Sequence, residues 1–257
     1  MAERTREAIG ALRRSHDEMA ELAGKFGPDE LGRPSGSKEW TVAQVLSHLG
    51  SAAEIGLQTL TSGKADFDAA QGVWGRWNAM SPEEQARNYV AADEQLVEAL
   101  EALDDEAQAT KRIDMGFLPA PVDVGFFVGM RLSEVGLHRW DIDVSFDPAA
   151  QVVPYVVPFV LDILVAFAGY FAKPDGRAGR VSIETYQPSR NYVLDLSDAG
   201  ATLREGADAE AQTRLTLPAE ALLRLTSGRL TPDHTPASVT VEGQLSLDDL
   251  RRIFPGY

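Results

Sequence analysis

The feature that most constrains the fold is a change in hydrophobic period partway along the chain. Near the start, Ile9, Leu12, His16, Met19, Ala23 and Phe26 recur at steps of three and four, the spacing of one helix face. A turn-rich stretch over residues 27–37 follows. Thr41 and Gln44 can then cap each other's backbone donors, and Trp40 and Val45 complete a hydrophobic staple, so a second helix is predicted from there to about residue 60. Ser81-Pro82-Glu83-Glu84 places a cap, a proline at the first helical position and acids at the positive end of a third helix. Its buried stripe is Tyr89, Val90, Leu96, Val97, Leu100 and Leu103. After a loop holding Pro119 and Pro121, a fourth helix is expected over residues 122–143. Four long helices before residue 150 read as a bundle.

The remainder alternates. Residues 181–186, 192–196, 213–217 and 239–241 have the period of half-buried strands, and residues 218–225 and 247–253 read as short helices, the second capped by Ser246. Residues 152–172 are almost continuously apolar and about as long as a membrane span. Asp162 in their middle, Pro154 and Pro158 near their start, and the strands that follow favour a buried core helix instead. The expected class is α+β: a four-helix bundle over residues 1–150, then a small α+β domain over residues 151–257, with the boundary near 148–151.

A formal net charge of −15 argues against sequence-independent nucleic-acid binding, which needs clustered cations to displace counterions, and against an anionic membrane surface. The start of the chain has no apolar signal-peptide core, so a cytoplasmic setting is expected. The absence of cysteine matters most: any metal must use His and carboxylate ligands, and a thiol nucleophile must come from outside.

Only four histidines are present: His16, His48, His138 and His234. Glu134 and His138, four apart on the fourth helix, share a face one turn apart, a spacing that suits two ligands of one ion. His48, on the inner face with Val45, Ala52 and Ile55, is the candidate third. By spacing alone, such a pair is more often a solvated surface pair, and a lone histidine on an apolar face is more often a satisfied core residue. Asp141 either orients the other ring nitrogen of His138 or is a capping or surface acid.

Trp40-Thr41-Val42-Ala43-Gln44-Val45-Leu46-Ser47-His48-Leu49 resembles the W-T-x-x-x-x-L-x-H-L segment of the DinB-like metal-dependent bundles. Glu134-Val135-Gly136-Leu137-His138-Arg139-Trp140-Asp141 resembles the E-x-x-x-H-x-W-D segment of the mycothiol-dependent maleylpyruvate isomerase family. The run Leu215 through Leu223, then Ser227-Gly228-Arg229 and Val239-Thr240-Val241-Glu242-Gly243, is similar to that family's second, sterol-carrier-like domain. The resemblance spans essentially the whole chain. It implies His48, Glu134 and His138 as metal ligands, zinc or another divalent ion as the metal, and mycothiol as the thiol partner.

Two neutral imidazoles and a carboxylate would leave a divalent ion with a net charge of about +1 and an open position, where an incoming thiol ionises below its free pKa of about 8.5. Attack on an electrophilic carbon then gives an S-conjugate or, if the thiol leaves again, a cis to trans isomerisation. The expected partners are thus a small-molecule thiol and a small electrophile, with the protein a monomer or homodimer. A dicarboxylate substrate needs arginines. The candidates are Arg139, beside His138, and Arg229, since the family places a functional arginine in the second domain; either is alternatively a surface charge. Arg76, between Trp74 and Trp77, is in a Gly-flanked segment that is either a loop covering the site or, the favoured reading, a packed structural turn. His16 either faces the same cavity or is a hydrogen-bonded core histidine, and His234, between Pro232 and Pro236, is expected at the surface. The alternative to an enzyme is a non-catalytic binding or regulatory protein on the same fold.

Overall fold

The computed structural model describes residues 2–173, 176–198 and 200–256 and divides into two compact units, Met1–Asp147 and Pro148–Tyr257. In the first, the long helices are α1 (Ala2–Ala23), α3 (Val42–Ser62), α5 (Pro82–Glu101) and α7 (Val124–Asp143), with shorter α2 (Pro28–Leu31), α4 (Phe67–Asn78) and α6 (Asp105–Thr110) between them. Their starts follow the local chemistry. Thr41 and Gln44 form a reciprocal capping box on α3, as do Ser81 and Glu84 on α5, where Pro82 occupies the first turn. Asp123 caps α7, accepting from Phe126 N at 2.8 Å.

The core of this unit is an apolar seam: Leu12 and Met19 on α1, Val42, Val45, Leu46, Leu49 and Ala53 on α3, Leu96, Val97 and Leu100 on α5, and Val128, Leu132 and Val135 on α7. Ala52 and Ile55, expected to share the inner face with His48, are only half-buried. The deep stripe of α3 runs one residue aside from them, so His48 stands at the edge of the core.

The segment around Arg76 is a helix rather than a turn. Asp66 caps α4 by accepting from Ala69 N at 3.0 Å, and Ala70, Val73 and Trp77 are its buried face. Gly72 and Gly75 fall on the outer side, where an added Cβ would meet nothing within 4 Å, so they need not break the helix. The Trp77 indole packs on α3 at Gly50, where a Cβ would come within 2.1 Å of Cη2; only glycine fits there. The loop with Pro119 and Pro121 joins two short paired strands, β1 (Arg112–Ile113) and β2 (Val122–Asp123), which takes the first two residues expected of the fourth helix.

The second unit begins with α8 (Val157–Phe171), followed by β3 (Gly179–Tyr186), β4 (Arg190–Ser197), β5 (Gly200–Glu205), β6 (Thr213–Pro218), α9 (Ala219–Thr226), β7 (Thr240–Gly243) and α10 (Leu247–Ile253). The sheet order is β5-β4-β3-β6-β7, with β3 and β6 parallel and the other neighbours antiparallel. Val181, Ile183, Leu194, Leu196, Leu203, Leu215 and Leu217 are buried, and α8 packs against α9 and β5. The apolar run at residues 152–172 is thus a core helix of this unit, and among the described residues no helix is long and apolar enough to cross a membrane. Strand β5 was not expected. As an edge strand with Leu203 its one buried residue, it carries no alternating stripe.

Candidate metal centre

His48 is in the second turn of α3; Glu134 and His138 are one turn apart on α7. Between these helices their donor atoms converge. His48 Nε2 is 2.9 Å from Glu134 Oε2, His138 Nε2 is 3.7 Å from the same oxygen, and one donor from each residue lies within 4.8 Å of the others. Tetrahedral coordination at ordinary Zn–N and Zn–O lengths separates donors by about 3.3 Å, so small side-chain adjustments would close this set on one divalent ion.

Each ligand is braced differently. His138 is buried, and its Nδ1 is 2.8 Å from Oδ2 of the fully buried Asp141. A carboxylate only accepts, so Nδ1 carries a proton, and in the neutral ring that a metal requires Nε2 presents its lone pair to the cluster. His48 and Glu134 keep side-chain exposures of 31% and 41%, against 8% for His138, so the cluster is open to solvent at His48 and Glu134. Burial pushes the Glu134 carboxyl up, but the hydrogen bond to His48 and the positive charge of His138, His48 and Arg131 outweigh it and bring it to about 2. Glu134 is therefore an anion at neutral pH, the form a metal requires.

The indole of Trp40 forms one wall, with its ring centre 5.1 Å from that of His48 and 5.9 Å from that of His138. It is set there by the loop before α3, which docks on the end of α7. Gly36 N donates to Asp141 O at 2.8 Å, and a Cβ on Gly36 would come within 2.7 Å of Val144 Cγ1 and 3.1 Å of Asp141 Cα. In the sequence Trp40 completes a staple and opens the W-T segment; its contact with two imidazoles depends on tertiary approach.

The other singled-out residues lie elsewhere. His16 is a core histidine: Nδ1 is 2.9 Å from Asp93 Oδ2 and Nε2 is 2.6 Å from Glu94 Oε2. Arg139 turns from the cluster to other partners; its Nε donates to both oxygens of Asp143, at 2.9 and 2.7 Å, and Nη1 is 3.8 Å from Glu18. A guanidinium held by two acids is poorly placed to take up a substrate carboxylate. Arg76 donates to Glu54 at 2.5 Å. In the second unit Arg229 is buried, follows Gly228 in its left-handed turn (φ 76°), and donates from Nη1 to Ser227 O at 3.3 Å. His234 is half-buried rather than exposed, because it ends a short 3-10 turn that brings Nδ1 within 3.2 Å of Pro148 O.

A helical bundle with a His, Glu, His cluster on α3 and α7, in a chain that continues into an α+β unit, defines the class. Residues 12–143 match the mycothiol maleylpyruvate isomerase N-terminal domain, and the chain belongs to that family. Over 153 residues it is 25% identical to uncharacterised proteins from two Mycobacterium tuberculosis strains, CDC 1551 / Oshkosh and ATCC 25618 / H37Rv, covering 58% of this chain and 72% of each relative. Among solved structures it shares its fold with the mycothiol-dependent maleylpyruvate isomerase (TM-score 0.64, 13% identity) and a mutant of it (TM-score 0.65, 12% identity), each alignment covering 94% of this chain and 95% of the other.

Proposed function

We propose that this protein is a metal-dependent enzyme that uses mycothiol to isomerise, or conjugate to sulfur, a small electrophile of the maleylpyruvate type. The observation that carries the reading is the convergence of His48, Glu134 and His138 donors within 4.8 Å at a half-open face, in a chain of this family. These three residues would hold the ion, for which we propose zinc in a cytoplasmic setting. A bound divalent ion supplies a lowered pKa to a thiol entering its free position, so the nucleophile exists at neutral pH. The chain has no cysteine to do this itself.

The protein's own contributions are positional. Asp141 holds the Nδ1 proton of His138 and keeps Nε2 turned inward. Glu134 supplies the single negative charge of the ligand set. Trp40 shields one side of both imidazoles and leaves the other for thiol and substrate. Arg139 is occupied by Asp143 and Glu18; the arginine that the family resemblance implies for the anionic end of the substrate is Arg229.

The test is an assay of zinc-loaded protein with mycothiol, or glutathione as control, against a panel of electrophiles that includes maleylpyruvate. Mycothiol-dependent turnover is expected. Thermal stabilisation by mycothiol without turnover of any electrophile would point to a binding protein, and no discrimination between the thiols would refute the assignment.

A further inference from the structure

Next to the cluster lies a second set of polar groups that the proposed chemistry does not use. Asp93 on α5 is fully buried, and Arg131 on α7 and His16 on α1 are 6% and 4% exposed. They form one chain across the bundle. His16 Nδ1 is 2.9 Å from Asp93 Oδ2, Arg131 Nη2 donates to Asp93 Oδ1 at 2.6 Å, and the same Nη2 donates to the α3 carbonyl of Leu49 at 3.0 Å. Each of the four long helices contributes one member. Leu49 is the neighbour of His48, and Arg131 is one turn before Glu134.

A buried ion pair is a poor source of net stability, since apolar side chains of the same volume often do as well or better; its best-attested use is to fix register. Here the register at stake is that of α3 against α7, the two helices that carry the ligands. Two further donors of Arg131, Nε and Nη1, are buried with no protein partner among the described residues. A side chain kept for packing alone would not hold two unspent donors there.

We propose that Arg131 is a positioning residue for the metal centre, fixing the α3 turn of His48 against the α7 turn of Glu134 and His138. This rests on the metal reading above and goes beyond it by assigning a role to a residue outside the ligand set. Its removal changes ligand geometry even where the fold survives.

The experiment uses the full chain in four forms: wild type, Arg131→Met, Arg131→Lys, and Arg131→Met combined with Asp93→Asn, which leaves no unpaired buried charge. Zinc affinity is measured by chelator competition, the visible spectrum is recorded with Co2+, and unfolding is followed without metal. Both Met-containing forms should bind zinc about 10–100-fold more weakly and show an altered Co2+ spectrum, with Lys recovering part of the affinity. A purely structural role would lower only the metal-free melting temperature. If Arg131→Met does not fold, the double variant decides. Wild-type affinity and spectrum in the folded double variant would overturn this proposal alone, whereas wild-type protein that takes up neither Co2+ nor zinc overturns it together with the metal reading.

Discussion

The bundle holds two groupings of histidine with carboxylate, and they differ in what balances their charge. Around His16, both ring nitrogens face acids, and the protein supplies its own cations: Arg131 on Asp93 at 2.6 Å and Arg13 on Glu94 at 2.7 Å. Around His48, Glu134 is shared between the two imidazoles, at 2.9 Å from His48 Nε2 and 3.7 Å from His138 Nε2, and Asp141 backs His138 from behind. The first grouping is sealed inside the bundle with its acids paired to arginines; the second brings three donors to one point and is reachable from one side. Residue types alone do not make a metal centre, because the convergence of donors and access from outside decide between these two.

The largest expected effect separates the two directly. His48→Ala or His138→Ala should abolish metal retention, because each leaves two ligands; elemental analysis after dialysis reads this, and full occupancy in both would break the contrast. His16→Gln should keep its metal. Next, stripping metal from wild type should lower the melting temperature, since an ion present at 100 times its Kd contributes about 2.7 kcal/mol to the folded state, and calorimetry with and without chelator tests it. Then Glu134→Gln and Asp141→Asn should each weaken metal binding by about 10–100-fold, the first by removing charge and the second by releasing the His138 ring; equal affinity in either would remove that residue from the account.

The smallest effect belongs to the sealed grouping. Burial lowers the His16 pKa, but the hydrogen bond to Asp93 and the charges of Asp93 and Glu94 outweigh it, so the net shift is upward. Its contribution to stability is thus fully present below the unfolded histidine value of about 6.5 and lost as pH rises through the higher folded value. Asp93 is shifted downward, because Arg131 and His16 overcome the cost of burial, so its part is present above about 4 and lost as pH falls through the folded value. Melting temperatures of metal-free protein should therefore fall from pH 6 to 9, and His16→Gln should flatten that slope. A slope retained in the variant would place the titration elsewhere.

What was legible in the sequence is what local chemistry determines. The capping boxes at Thr41 and Ser81, the proline start of α5 and the strand alternation at Val181 and Ile183 depend on neighbours a few residues away, and they stand as expected. Helix α4 was not legible, because Gly72 and Gly75 read as a turn until Trp77 is seen to pack on Gly50. In the site, the one-turn spacing of Glu134 and His138 was plain, while the wall made by Trp40 and the brace through Asp93 and Arg131 require helices distant in sequence. A signal was present, since Asp93 falls on the same face as Tyr89, Leu96 and Leu100. A charge in that stripe needs partners, but only tertiary structure names them.

Because Trp40 is packed against two of the three donor side chains, the protein carries its own optical reporter. A paramagnetic or coloured ion settling between His48 and His138 would dim that indole, and loading could be followed by emission, with no dye attached.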